Sequence, residues 1–379
     1  MSALLVVAGE ASGDRAAAAV LRRLDGVHAF GLGGAALEDA GLELVGDMRA
    51  STALGVGEAA MRAGSVVRAW KRIRSAVRAR RPRAALLVNY SEFNSLLAPV
   101  LRRAGVRVLW YGAPQVWAWR SGRVASLRRS VDRMAVVLPF EEPLWRGAGV
   151  DAHYVGHPAF ETRRLARTEA RAALDLTASA WAVGILPGSR PHEVQRLLLP
   201  MLDAYELVRS DRASVDARVL VAASLDAASR AWLRAVCAAR HVPAFDVDPH
   251  EGACPVLGAF DATLCASGTA SLEAALARAV PVVAYRVGLA TELTARALVR
   301  TPHYALPNVL LGRGAFPELL QRDVRADRLA RALSDTIDRR PALLDACAEL
   351  EALLGPRHAP SATVARMLSP WLGAGARAA

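Results

Sequence analysis

The stretch Asp261-Ala-Thr-Leu-Cys-Ala-Ser-Gly-Thr-Ala-Ser-Leu-Glu273 runs from an apolar strand pattern through Ser267-Gly268-Thr269 straight into a helical one. A helix that starts at a small-residue turn points free backbone N–H groups, and the positive end of its dipole, at an anion. Glu273 falls about one turn into that helix, where a carboxylate can accept both vicinal hydroxyls of a ribose joined to the anion. The logic recurs at Leu186-Pro-Gly-Ser-Arg190, where Ser189 and Arg190 follow a strand and His192 and Glu193 open a helix. A guanidinium there can neutralise charge gathering on a departing diphosphate. Taken singly, each segment also reads as an ordinary capped turn. Two of them in one half of the chain point to a phosphorylated ligand, and the lack of a G-x-x-x-x-G-K-[ST] run argues against a magnesium-dependent P-loop enzyme.

The first half has its own small-residue turn, Ala8-Gly-Glu-Ala-Ser-Gly-Asp14. Glu10 and Asp14 make it unfriendly to phosphate, so with Ser12 it suits sugar hydroxyls or the placing of a catalytic group; capping chemistry alone accounts for the Ser and Gly equally. Between Met61 and Arg83 lie Arg62, Arg68, Lys71, Arg72, Arg74, Arg78, Arg80, Arg81 and Arg83. Helical spacing lines up Val66, Trp70, Ile73 and Val77 between them. Such a helix lies in a membrane interface, or packs its stripe on a sheet and offers only a basic rim. Trp117 and Trp119 share one face of an extended segment with Arg120 opposite, for core packing or for substrate, and His157 before Pro158 is a structural or an acid–base residue.

These groups need a scaffold, and the apolar pattern supplies it. Leu4–Val7, Ala84–Val88, Val106–Trp110 and Met134–Leu138 read as strands followed by turns and helices, and Ala182–Leu186, Ala217–Val221, Asp261–Cys265 and Val280–Ala284 form a second series. The expected class is α/β, with two Rossmann-like domains facing a central cleft and a helical C-terminal region. The divisions expected are 1–160, 161–345, and 346–379, the last packing back on the N-terminal domain or on a partner subunit. A net charge of +12 over 379 residues favours an anionic partner without choosing between a membrane, a phosphorylated substrate and nucleic acid, and much of it reflects Arg-rich usage. The four cysteines are widely spaced, which indicates neither a zinc site nor a disulfide framework and fits a reducing cytoplasm. The N-terminal run is neither signal peptide nor membrane span.

In order and spacing, several motifs together resemble the lipid-A-disaccharide synthase family. They are Ala8-Gly-Glu-Ala-Ser-Gly-Asp14, Tyr111 with Pro114 and Val116-Trp-Ala-Trp-Arg120, Leu138-Pro-Phe-Glu141, Val155-Gly-His-Pro158, Leu186-Pro-Gly-Ser-Arg190 with Glu193, Ala266-Ser-Gly-Thr-Ala270 with Glu273, Tyr285-Arg286 and Leu306-Pro-Asn308. The resemblance covers nearly the whole chain. It implies an inverting GT-B glycosyltransferase that joins a UDP-activated 2,3-diacylglucosamine to the 6-hydroxyl of 2,3-diacylglucosamine 1-phosphate, releasing UDP, with no metal or other cofactor. It makes the second domain the donor side. Ser267, Gly268 and Thr269 would meet the diphosphate, Glu273 the ribose, Arg190 the leaving phosphate, the Leu306-Pro-Asn308 region would lie near the uracil, and Ser189 and Asn308 would be among the UDP-binding residues. It further implies a lipid acceptor, an anionic inner-membrane surface met peripherally from the cytoplasm by Trp70, Lys71, Arg72 and Arg74, no nucleic acid, and compatibility with a homodimer. One departure stands out: where the family carries Asp-x-Pro-Asp-Phe-Asn, with the first Asp the favoured general base, this chain reads Asn89-Tyr-Ser-Glu-Phe-Asn94. An amide takes no proton, so the base duty passes to Glu92 or Glu10, is dispensed with, or has been lost. A UDP-sugar epimerase of the same fold and a catalytically impaired relative are the rival readings.

Overall fold

Parallel strands must be covered on both faces, so they read as near-continuous apolar runs, and that is how the central strands of this chain are built. The computed structural model describes residues 2–47, 58–117, 121–177, 180–288, 301–355, 359–373 and 377–378. The chain divides into two units, Met1–Glu161 with Leu354–Ala379, and Thr162–Leu353.

The first unit holds β1 (Ser2–Ala8), β2 (Val27–Gly33), β3 (Glu43–Asp47), β4 (Ala84–Val88), β5 (Arg107–Tyr111), β6 (Arg133–Val136) and β7 (Ala152–Tyr154). They form one parallel sheet in the order β3-β2-β1-β4-β5-β6-β7. That order reverses between β1 and β4, the switch point of a doubly wound sheet. On one face pack α1 (Ala11–Leu21) and the C-terminal Pro360–Leu372 helix, through Ala17, Val20, Val364 and Leu368. On the other pack α2 (Glu58–Arg80) and α3 (Ser91–Arg103), through Ile73, Val77, Leu97 and Leu101.

The basic helix α2 therefore uses its stripe for packing. Ile73 and Val77 are buried and the Trp70 ring meets Phe93 edge-on at 5.7 Å. Trp70 thus turns inward, while Lys71, Arg72 and Arg74 remain exposed, as do Val66 and Val67 one turn earlier. An amphipathic helix behaves so when its apolar stripe is narrow: the ring buries and the long cationic stems stay in water. The Arg62 side chain lies outside the described residues.

The second unit repeats the plan with β8 (Trp181–Leu186), β9 (Val215–Val221), β10 (Ala244–Asp246), β11 (Ala262–Ala266), β12 (Val280–Tyr285) and β13 (Glu318–Leu320). Their order is β10-β9-β8-β11-β12-β13, again parallel, with the switch point between β8 and β11. The Pro191–Asp211 helix covers one face with Val194, Leu198 and Leu202, and Phe260, Ala274 and Leu174 lie on the other.

A division after residue 345 would cut the Arg340–Leu353 helix, whose buried Leu343, Cys347 and Leu350 belong with the second unit. The chain crosses back only at Leu354, which accepts a hydrogen bond from the Tyr154 hydroxyl at 2.6 Å. The last helix is then fixed to the first unit by Glu161, which accepts from Ser361 N at 3.0 Å and from Ser361 Oγ at 2.6 Å, and by Arg133, which stacks over Trp371. No described helix is long and apolar enough to cross a membrane.

Candidate active site

Ligands of doubly wound sheets gather where the strand order reverses, at the carboxyl ends of the two flanking strands. In the second unit those ends are Leu186 of β8 and Ala266 of β11.

Ser267 leaves β11 with its N–H bonded to the Ala284 carbonyl at 3.1 Å and its Oγ donating to the Tyr304 carbonyl at 3.0 Å. Gly268 then stands at the start of the Thr269–Leu276 helix with no side chain capping it. Its backbone is extended, a shape any residue takes, and a Cβ there would meet nothing within 4 Å among the described residues. Nothing among the described residues requires a glycine at 268; the bare backbone leaves room for close approach. Gly268 and Thr269 are exposed, and Glu273 is half-buried one turn further on.

The turn after β8 is different. Gly188 sits at φ +125°, and a Cβ on it would lie 2.5 Å from Glu193 Cβ. Glu193 folds back so that its Oε2 accepts from Ser189 N at 3.0 Å and Arg190 N at 3.3 Å, while Arg190 Nη1 lies 3.4 Å from Oε1. A carboxylate three residues into the helix therefore already fills the anion position, as in a capping box. This corrects the reading of Ser189 as a ready phosphate donor: its amide is engaged, and its carbonyl accepts from Ser224 Oγ at 3.0 Å. What this turn offers a ligand is the Arg190 guanidinium, about half exposed.

Arg190 and Ser267 line one cavity of about 40 Å³, together with His192, Glu193, Tyr285 and Arg286. The Tyr285 ring stacks on Tyr304 at 6.0 Å between centroids. Asn308, expected near a uracil, is fully buried and spends its amide inside the unit. Its Nδ2 donates to Phe316 O at 2.8 Å and Glu318 Oε1 at 2.6 Å, and its Oδ1 accepts from Phe316 N at 2.9 Å. Glu318 Oε2 also takes Tyr304 N at 2.8 Å, so Asn308 and Glu318 fix the start of the Leu306–Leu311 helix and the Tyr304 backbone that Ser267 holds, and the Asn308 side chain is spent inside the unit.

In the first unit the switch point places Ala8-Gly9-Glu10 beside Val88-Asn89-Tyr90. Asn89 and Tyr90 are consecutive left-handed residues, φ +47° and +45°. Asn tolerates that region better than most side chains; for Tyr90 it costs energy, which neighbouring contacts must offset. The Tyr90 ring stacks on Phe93 at 5.2 Å and lies where a Cβ on Gly9 would be, 1.9 Å away. The Asn89 amide lies between two glycines, its Nδ2 towards Gly13 and its Oδ1 towards Gly112. Ser12 is half-buried in the first turn of α1.

Two carboxylates expected in this site turn out to have other duties. Asp14 is buried and accepts from Gly34 N at 2.6 Å and Ala36 N at 3.0 Å, capping the short Ala35–Asp39 helix. Burial raises its carboxyl above the usual range, against the pull of those amides. Glu92 is exposed and gripped by Arg123 through two hydrogen bonds, 3.1 and 2.5 Å, a bidentate fork that occupies both carboxylate oxygens. Glu10 is exposed just after β1 and lies near the Tyr90 side chain, at the switch point of this sheet. His157 is buried, its Nδ1 accepts from Ala159 N at 3.2 Å, and burial pushes it down to about 4, which fits a neutral structural role. Trp119 and Arg120 lie outside the described residues.

One unusual acid was visible only as part of a motif. Glu141 is 1% exposed, accepts from Trp117 Nε1 at 3.1 Å and Leu138 N at 3.3 Å, and is pushed by burial up to about 7. The folded protein thus holds a proton that the unfolded chain has released between pH 4.5 and 7, so this group's contribution to stability falls as pH rises through that window. Taken at about 1.4 kcal/mol per decade, the gap is worth roughly 3 kcal/mol. His157 acts in the opposite sense, losing stability as pH falls from 6.5 towards 4, so the wild-type profile alone is a poor readout. The stability of Glu141→Gln relative to wild type, from denaturant melts, is expected to improve by about 3 kcal/mol between pH 4.5 and 7.5; a constant difference would contradict the buried-acid assignment.

Among the described residues no group of three or more His, Cys, Asp or Glu is placed to hold a metal ion. Cys237, Cys254, Cys265 and Cys347 are buried free thiols.

Two doubly wound parallel sheets, each with polar side chains at its switch point, define the GT-B class. Solved structures share this fold. The rhamnosyltransferase SpnG complexed with thymidine diphosphate matches 97% of this chain and all of its own, with a TM-score of 0.60 at 14% identity. A UDP-GlcNAc 2-epimerase from Neisseria meningitidis, bound to UDP-GlcNAc, matches 97% and 99% with a TM-score of 0.55 at 11% identity. A transferase and an epimerase on one fold show that architecture alone does not choose between those reactions. Sequence chooses: the family model described as lipid-A-disaccharide synthetase matches residues 4–352, and the chain belongs to that family. The lipid-A-disaccharide synthase of Anaeromyxobacter sp. (strain K) is 41% identical over 365 residues, 94% of each chain. That of Geobacter sulfurreducens (strain ATCC 51573 / DSM 12127 / PCA) is 36% identical over 342 residues, 88% of each. The epimerase reading is accordingly not favoured.

Proposed function

We propose that this protein joins UDP-2,3-diacylglucosamine to the 6-hydroxyl of 2,3-diacylglucosamine 1-phosphate, giving the lipid A disaccharide 1-phosphate and UDP. The observation that carries the donor half is that Arg190 and Ser267, from the ends of β8 and β11, line one cavity. In the reaction the bond from the donor's anomeric carbon to the diphosphate breaks as the acceptor oxygen bonds that carbon. The diphosphate gains a negative charge, which Arg190 and the uncapped amides after Gly268 stabilise most when it is fully developed, while Glu273 accepts from the ribose. The acceptor hydroxyl proton passes to Glu10. Asn89 orients the hydroxyl without taking the proton, and positioning of this kind supplies a large share of the rate by itself.

Both substrates are acylated, so the enzyme meets them at a membrane surface. Lys71, Arg72 and Arg74 with the exposed Val66 and Val67 support a peripheral contact with anionic lipid at the cytoplasmic face. Incubated with both lipid sugars in anionic vesicles, the protein is expected to release UDP, to release none when either sugar is omitted, and to slow in high salt. Release from the donor alone would sink the transferase reading; a rate indifferent to lipid charge and salt would remove the membrane part.

A further inference from the structure

We propose that Arg286 is a second diphosphate-binding cation of the donor unit, and the one that gives the cavity its net positive charge; this rests on the UDP-sugar reading above. Arg286 directly follows β12, the strand hydrogen-bonded to β11, and the Ser267 amide is tied to Ala284 two residues before it. It therefore reaches the same cavity as Ser267 and Arg190 from the neighbouring strand. The charges there do not balance in favour of a diphosphate without it. Arg190 shares its cavity with Glu193, whose carboxylate lies 3.4 Å from Nη1 and also holds the turn's amides. That pair contributes fork geometry but little net charge. Glu193 is the one acidic side chain among the described residues of the lining, so adding Arg286, an exposed guanidinium, takes the lining from neutral to positive. A diphosphate bears at least two negative charges, and docking one against a neutral wall would leave its desolvation poorly offset.

Arg190 and Arg286 then divide the work. Arg190, oriented by Glu193, serves the charge that develops on departure, and Arg286 supplies attraction for the diphosphate before and after the reaction, which makes it a binding residue first.

Titration calorimetry of the full chain with UDP and with uridine tests this. Wild type is expected to bind UDP more tightly than uridine. Arg286→Gln should weaken UDP by roughly tenfold to a hundredfold, the range for a hydrogen bond to a charged group, and leave uridine within about twofold. Arg286→Lys should regain part of the loss by keeping the charge without the fork. UDP affinity unchanged in Arg286→Gln would overturn the proposal, as would an equal loss for uridine, which would mark general damage to the unit. Wild type that binds neither ligand would overturn the UDP-sugar reading itself and this inference with it.

Discussion

Arg190→Ala is expected to lower kcat for UDP release by roughly two to three orders of magnitude, the cost of deleting one preorganised donor to developing charge. The fold should barely notice. The side chain is 51% exposed and its pair with Glu193 is a contact within one helical turn, worth at most about 1 kcal/mol as an exposed ion pair. Glu193 keeps its hydrogen bonds to the Ser189 and Arg190 amides whatever side chain stands at 190, so the turn itself survives. Arg190→Lys should recover only part of the rate, because a point charge replaces a planar fork. The loss belongs mainly in kcat, since the charge Arg190 meets is largest as the diphosphate leaves. A variant turning over within about threefold of wild type, well short of the loss expected of such a donor, would take Arg190 out of the reaction.

Replacing Glu10 by Gln is expected to cost roughly a hundredfold to ten-thousandfold in kcat, the usual contribution of a general base. Glu92→Gln should change the rate by less than about threefold, far below a general base's share, because the Glu92 carboxylate is held by Arg123. The contrast separates two residues that sequence alone could not rank. Asn89→Asp adds a third comparison. Asp tolerates the left-handed backbone about as well as Asn, so this variant puts a carboxylate between Gly13 and Gly112 without a new backbone cost. It is expected to restore part of the rate lost in Glu10→Gln. If Glu10→Gln and Glu92→Gln both keep full rate, no displaced base exists; if Glu92→Gln alone collapses, the assignment to Glu10 is wrong.

The central strands were legible because burial on both faces leaves no room for alternation: Ala84–Val88 and Ala262–Ala266 are buried at every position. Strands that are short or broken by glycine were not. In β2, Gly31 dilutes the β signal, yet it is there for the sheet, since a Cβ would lie 1.7 Å from the Val6 carbonyl oxygen, and the pairing with β3 shifts register beside it. β10 and β13 have only three residues each, too few for a pattern. The anion turns could be read from small residues after apolar runs, but not whether a turn was already filled. Glu193 closes the Ser189 turn by a side chain three residues away in a frame that begins with Arg, outside the Ser/Thr-x-x-Glu form of a capping box. That the Asp14 and Asn308 side chains are engaged inside their own units was illegible for a related reason. Their partners, Gly34 and Ala36 for one and Phe316 and Glu318 for the other, are fixed by chain folding and carry no mark in the sequence near them. The Trp70 stripe announced an amphipathic helix, and only the Phe93 ring showed which way it turned. The return of the last helix to the first unit has no periodic signature at all, because helix spacing says which face is apolar and not what covers it.

The central claim is that two acylated sugars are joined and UDP is released. The direct measurement is mass spectrometry of the lipid products after incubating the purified protein with both sugars. A new species with the summed mass of donor and acceptor less UDP, formed in step with UDP release and missing when either sugar is left out, is the predicted result. Recovery of both sugars unchanged, or conversion of the donor to an isomer of the same mass with no disaccharide, would contradict it.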